Sequence, residues 1–186
     1  KKYGKNEKQP VRRPGIVQKL ADLAARDRVL EKRPERLMQQ IFAKVAAEPA
    51  VRQGLFGDPQ KLVISGDGTC VLSGGSAWGS KQCSCREQGL YNCDCPRIFS
   101  DPFARYGWDS YHNCYFYGHT AYVLAAYNPV LKCDLPIYLR MVQANRHDSV
   151  SSIVALSEFR SLYPDFTIDT FCGDCAHDAV GIYGLL

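Results

Sequence analysis

Apolar residues recur at helical spacing from Ile16 to Leu30, at Ile16, Leu20, Leu23, Ala24 and Leu30. Pro34 opens a second helical pattern at its first turn, with Leu37, Ile41, Val45 and Ala46 on one stripe. Pro49 and the Gly54–Pro59 segment end it, so the pattern predicts a helical hairpin of about 40 residues. Beyond residue 60 the periodicity changes. KLVIS (61–65) predicts a short buried strand, CYFYGHTAYVLAAYN (114–128) a strand or hairpin, and LPIYLRMVQAN (135–145) another strand. Asp148 and Ser149 can cap a helix reaching about Leu162, whose apolar face is Val150, Ile153, Val154, Leu156 and Phe159. FTIDTFC (166–172) predicts a last strand and AHDAVGIYGLL the start of a helix. Residues 73–97, rich in Gly, Ser and Cys, follow neither period. A meander followed by a helical crossover to a strand predicts an α/β fold, a mixed sheet covered by helices.

Charge divides the chain at the same place. Residues 1–61 carry 15 Lys and Arg against 7 Asp and Glu, whereas residues 62–186 carry 8 against 12. A basic arm on an acidic body suits an arm that meets phosphates and a body that holds cations; the alternative is a solvated helical surface. The expected division is a basic tail and hairpin over 1–60, then a body over 61–186 with a cysteine-rich insertion at about 73–113. The apolar content of 46% is enough for a core, and no apolar run is long enough to span a bilayer. The chain begins Lys1-Lys2, without Met or a secretory signal, and is expected to be a piece of something longer.

Two aspartates stand out. Asp67 follows KLVISG and Asp174 follows FTIDTFCG, so each is expected at the carboxyl end of a strand, directly after a Gly. If the strands are parallel neighbours, the carboxylates meet in the crevice where open α/β sheets bind ligands. Two carboxylates that repel make a site for Mg²⁺ or Mn²⁺, and the glycines are expected to allow a sharp turn and a bulky ligand. The alternative makes Asp67 a turn residue and Asp174 a helix N-cap.

The segments VISGDGT (63–69), YFYGHTAYVLAAYN (115–128), LPIYLRMVQANRHDS (135–149) and FCGDCAHDAVGIYGLL (171–186) resemble, in order, motifs of DDE transposases of the bacterial insertion-sequence type. The resemblance spans most of residues 61–186. It implies a ribonuclease H-like mixed sheet with flanking helices, and an enzyme that cleaves DNA strands and joins the exposed 3′-OH to target DNA. Asp67 then corresponds to the first catalytic Asp and Asp174 to the second, both holding Mg²⁺ or Mn²⁺. The family's third carboxylate, a downstream Glu, is not reached before Leu186, so the fragment alone is expected to be inactive. Asp178 is expected to be structural; Glu158, on the first helix of the body, is the one nearby Glu that could replace the missing carboxylate, but is expected to be solvated or structural. Asn145 and His147 belong to the strand-to-helix step, as loop architecture or as contacts to DNA or to the metal's outer shell.

The hairpin would bind duplex DNA or dimerise, with Arg12, Arg13, Lys19, Arg26, Arg28, Lys32, Arg33 and Arg36 as candidate phosphate contacts. The expected setting is a homodimer on DNA in the cytoplasm, at the nucleoid, with no membrane partner. Other readings are a non-catalytic zinc-stapled DNA-binding module and a ribonuclease H-like nuclease that only hydrolyses.

Nine cysteines without an export signal favour metal ligation over a disulfide framework. CSCREQGLYNCDC places Cys83, Cys85, Cys93 and Cys95 in two C-x-C pairs. A turn at Gly89 would gather four thiolates for a closed tetrahedral Zn²⁺ site; free thiols or disulfides are the alternatives. Cys70, Cys114, Cys133 and Cys172 fall on or beside strands and are expected to be buried as small apolar residues, and Cys175 to line the crevice beside Asp174.

Overall fold

The computed structural model describes residues 15–26, 28 and 33–186. Helices α1 (Ile16–Ala24) and α2 (Arg33–Phe42) come first. The second continues through a π-helical turn (Ala43–Ala47) into the short α3 (Glu48–Arg52). Strands β1 (Leu62–Leu72), β2 (Ser80–Lys81), β3 (Arg97–Ile98), β4 (Arg105–Asp109), β5 (Cys114–Asn128) and β6 (Cys133–Gln143) follow. Helix α4 (Asp148–Leu162) crosses over to β7 (Ile168–Cys172), and a 3₁₀ turn (Cys175–His177) leads into α5 (Val180–Tyr183).

The main sheet is mixed. Strand β5 is its spine, pairing antiparallel with β1 along one edge, from Val63↔Tyr127 to Leu72↔Gly118. Along its other edge β5 carries β6, from His119↔Gln143 to Asn128↔Cys133, and then β4, from Arg105↔Gly118 to Asp109↔Cys114. Strand β7 lies on the outer edge of β1 and runs parallel to it, with Ile64↔Phe171 and Ser65↔Cys172 as the last pairs. A parallel partner requires a crossover, and α4 supplies it. Alternation along β5 buries Thr120, Tyr122, Leu124 and Ala126. Of these, Tyr122, Leu124 and Ala126 pack with Ile64 of β1 and with Ile153, Leu156 and Phe159 of α4 in one cluster.

The N-terminal helices join that same core. Ala21, Ala43 and Ala47 belong to it, and Gly181 of α5 comes within van der Waals range of Val17 and Ala21. The apolar stripe expected on the second helix points the other way: Leu37, Ile41 and Val45, with Met38, are exposed, while Gln39, Ala43 and Ala47 are buried. Small residues face the sheet because the helix backbone approaches it closely, and the Gln39 amide donates to the Leu139 carbonyl of β6. Arg140 of β6, mostly buried, bonds both Glu158 of α4 and Glu35 of α2, the latter at 2.6 Å. Glu158 is 3% exposed and also accepts from the Tyr138 hydroxyl, as a structural side chain would. Among the described residues no helix is long and apolar enough to cross a membrane.

Candidate functional site: four thiols and three aspartates

The insertion between β1 and β4 has almost no core of its own. Every residue of the buried apolar cluster lies outside 73–103. It is held at its base by β2 pairing with β3 and by a polar anchor at Asp101. There Ser73 Oγ donates to Asp101 Oδ2 at 2.7 Å, and His119 Nε2 of β5 reaches the same oxygen at 2.8 Å. These bonds, His119 first, hold the Asp101 carboxyl down at about 2.

Above that base the two C-x-C pairs converge. The short β2–β3 pairing, Ser80↔Ile98 and Lys81↔Arg97, brings the two arms that carry the cysteines side by side. A turn at residues 85–89 closes the loop, with Leu90 N bonded to Cys85 O at 2.8 Å and Gly89 at φ +77°. Only glycine takes that backbone conformation without strain. Cys83–Cys93 and Cys85–Cys95 Sγ separations are both 3.5 Å, and all four Sγ atoms lie within 4.8 Å of one another. A tetrahedron with Zn–S bonds of about 2.3 Å has edges of about 3.8 Å, so the spacing fits a four-thiolate ion. The thiols are unequal. The Cys95 backbone N–H, then Cys83 and Lys81, pull Cys93 down to about 6, whereas hydrogen bonding to Cys95 and Cys83 pushes Cys85 up to about 12. Four close thiols in this state form a centre that could hold a metal ion, consistent with structural zinc.

The other four strand-associated cysteines are not the buried apolar residues expected. Cys70, Cys114 and Cys172 are exposed and Cys133 is half-buried. Cys70 pairs with Thr120 and so lies on the α4 side, in the exposed last stretch of β1; Cys172 pairs with Ser65 on the opposite face, and Cys114 opens β5 where it extends past β1. Cys175 is exposed and, with Gly173, Asp174 and His177, lines a cleft of about 290 Å³.

Asp67 does not end its strand. β1 continues to Leu72, because the Gly66–Thr69 segment pairs with Leu124–Ala121 of β5 instead of turning. Parallel pairing with β7, however, stops at Ser65↔Cys172. Asp67 and Asp174 therefore each stand two residues past the last pair, at the edge where β7 leaves the sheet. Asp67 shares the face of Val123. Asp174 caps the 3₁₀ turn, its Oδ1 accepting from Ala176 N at 3.0 Å.

Sequence reasoning treated Asp148 as a helix cap. The cap is instead His147, whose Nδ1 faces Ser149 N and Oγ, the latter at 2.8 Å. Asp148 occupies the first helical position, and its carboxylate lies over Gly68 and Thr120, where a Cβ on Gly68 would come within 2.5 Å of Oδ1. Burial first, then the charges of Asp67 and Asp174, raise its carboxyl above the usual range. The α4 crossover thus brings a third carboxylate over Gly68 and Thr120, on the sheet face opposite the one Asp67 shares with Val123, a placement residue spacing could not reveal. Among the described residues only the four thiols stand at mutual ligand distance; the aspartates are more widely spread.

The glycines before the two aspartates have a role different from the one expected. A Cβ on Gly66 would lie 2.6 Å from the Tyr122 hydroxyl, and one on Gly173 would lie 2.8 Å from the His177 ring. Both make room for a buried Tyr122–His177 pair, bonded at 2.9 Å, rather than for a ligand.

Of the other candidates, Asp178 accepts from Tyr183 Oη at 2.8 Å. Asn145 is exposed. Lys19, Arg26, Arg28 and Arg36 are also exposed. Arg12, Arg13 and Lys32 lie outside the described residues, as does the Arg33 side chain.

Comparison with family models, with curated proteins and with solved structures returned no match.

Proposed function

We propose that the chain is the first part of a metal-dependent DNA strand-transfer enzyme, with Asp67 and Asp174 as cation-holding carboxylates. The observation that carries this is the parallel pairing of β1 with β7, which sets Asp67 and Asp174 two residues beyond the same rung. The sheet order β6-β5-β1-β7 with α4 as crossover supports a ribonuclease H-like arrangement, the one the motif resemblance implies.

The donor chemistry fits Mg²⁺ or Mn²⁺. Carboxylate oxygens are hard ligands, and Mg²⁺ commonly takes one or two of them and fills its shell with water and substrate phosphate, so a closed trio is not needed. Asp148 is within electrostatic reach of both aspartates, whose charges add to burial, the first cause, in raising its carboxyl. Divalent ions bound there would stabilise the attacking and leaving oxygens of an in-line phosphoryl displacement. The chain's own part is to hold the carboxylates on a rigid edge. Lys19, Arg26, Arg28 and Arg36 are exposed on or beside α1 and α2 and would meet DNA phosphates, giving affinity that falls steeply with salt.

The test is strand cleavage in Mg²⁺ by protein extended through the downstream Glu that the resemblance implies. Asp67→Asn and Asp174→Asn should abolish cleavage and leave duplex binding intact; wild-type rates in both end the proposal.

A second reading, a non-catalytic zinc-stapled DNA-binding module, is favoured by the fact that, among the described residues, only the thiols are gathered at mutual ligand distance. It predicts DNA binding with one zinc bound and no cleavage in any divalent ion.

A further inference from the structure

Asp174 is the exposed end of a buried polar chain. Its Oδ1 takes His177 Nδ1 at 2.7 Å, and His177 Nε2 meets the Tyr122 hydroxyl at 2.9 Å. Tyr122 is 0% exposed and His177 5%. A carboxylate only accepts, so Nδ1 carries the proton; in the neutral ring Nε2 then accepts from the Tyr122 O–H. Every polar atom of this pair is satisfied in one orientation only. Burying two such groups is costly unless they are so paired, and an apolar pair would fill the space without that cost. Gly66 and Gly173, the residues before the two aspartates, are the ones whose missing side chains leave the space.

At the outer end Oδ1 is committed twice, to His177 and to Ala176 N. Oδ2 accepts no hydrogen bond among the described residues and sits on a side chain 61% exposed. Metal-binding side chains are commonly oriented through outer partners of this kind.

We infer that His177, seated on Tyr122, is a positioning residue that locks the Asp174 carboxylate with Oδ2 turned outward to take a divalent cation. The inference rests on the carboxylate site proposed above and adds the residues that orient it.

The experiment measures Mn²⁺ affinity of the chain by electron paramagnetic resonance of the free ion, with folding checked by circular dichroism. Asp67→Asn and Asp174→Asn should abolish the site. His177→Phe, which fills the space without a donor, should weaken Mn²⁺ by about 10–100-fold. His177→Asn, which can still donate to Asp174, should recover part of that loss, and Tyr122→Phe should fall between. A nuclear magnetic resonance readout does not depend on these variants folding: Mg²⁺ should shift the His177 Nδ1–H resonance in the native chain and not in Asp174→Asn. Unchanged Mn²⁺ affinity in folded His177→Phe, or a resonance unmoved by Mg²⁺ that does shift the Asp67 and Asp174 carboxylate carbons, overturns this inference alone. Mn²⁺ binding insensitive to both aspartate variants, or absent from the native chain, overturns the carboxylate site and this inference with it.

Discussion

Stripping zinc from the cysteine loop should melt the loop and leave the body standing. The separation follows from where apolar surface is buried: residues 73–103 contribute nothing to the core, while β1, β5, β6, α4 and the N-terminal helices share it. Structural zinc in four thiolates supplies on the order of 10–16 kcal/mol at neutral pH, and that energy is the loop's folding energy. The body does not draw on it, because Ser73, Asp101 and His119 anchor the base of the insertion below the thiols. Protein purified under reducing conditions should contain one equivalent of zinc. After chelation, amide exchange should become fast across residues 82–96, while the amides of β1 and β5 stay protected. Far-UV circular dichroism should barely change. A loss of 1 kcal/mol in the body would move Tm by about 2–4 °C, so a shift within that range is expected. Less than half an equivalent of zinc, or global unfolding on chelation, would refute the reasoning.

Two further outcomes follow from particular residues. Gly118→Ala should cost about 1–3 kcal/mol of stability or more, since its Cβ would fall 2.1 Å from the Val71 carbonyl oxygen where β1, β4 and β5 meet; an unchanged denaturation midpoint would show the backbone yields there. The Asp101 anchor involves a carboxyl lowered to about 2, so its contribution should be complete above the ordinary carboxylate range and disappear as pH falls through about 2. The Ala104 amide, which donates to Asp101 at 3.0 Å, reports this directly, and a midpoint near 4 would remove the anchor.

The sequence alone determined the kinds of element and their order, because helical and strand periods are written over a few residues. α4 begins at Asp148, as the residues suggest, and the strand at 114–128 is one unbroken β5. The thiol cluster was legible for the same reason: four ligands within thirteen residues need only one turn, and Gly89 supports it. The antiparallel strand β4 was missed, since Arg105–Asp109 is too short and too aromatic to show a period before it meets Cys114–Gly118.

Only the tertiary structure decided what faces what. The apolar stripe on α2 is legible in the sequence, but which face of the helix is buried is not: close approach to β6 selects the small face, Ala43 and Ala47, over the large one. Which strand neighbours β1 sets Asp67 and Asp174 two residues beyond the same rung. The crossover through α4 delivers Asp148, and the tucking of the chain after Gly173 seats His177 on Tyr122. These contacts join residues tens of positions apart. Their specificity lies in how the packed surfaces fit, and no local pattern of residues records that.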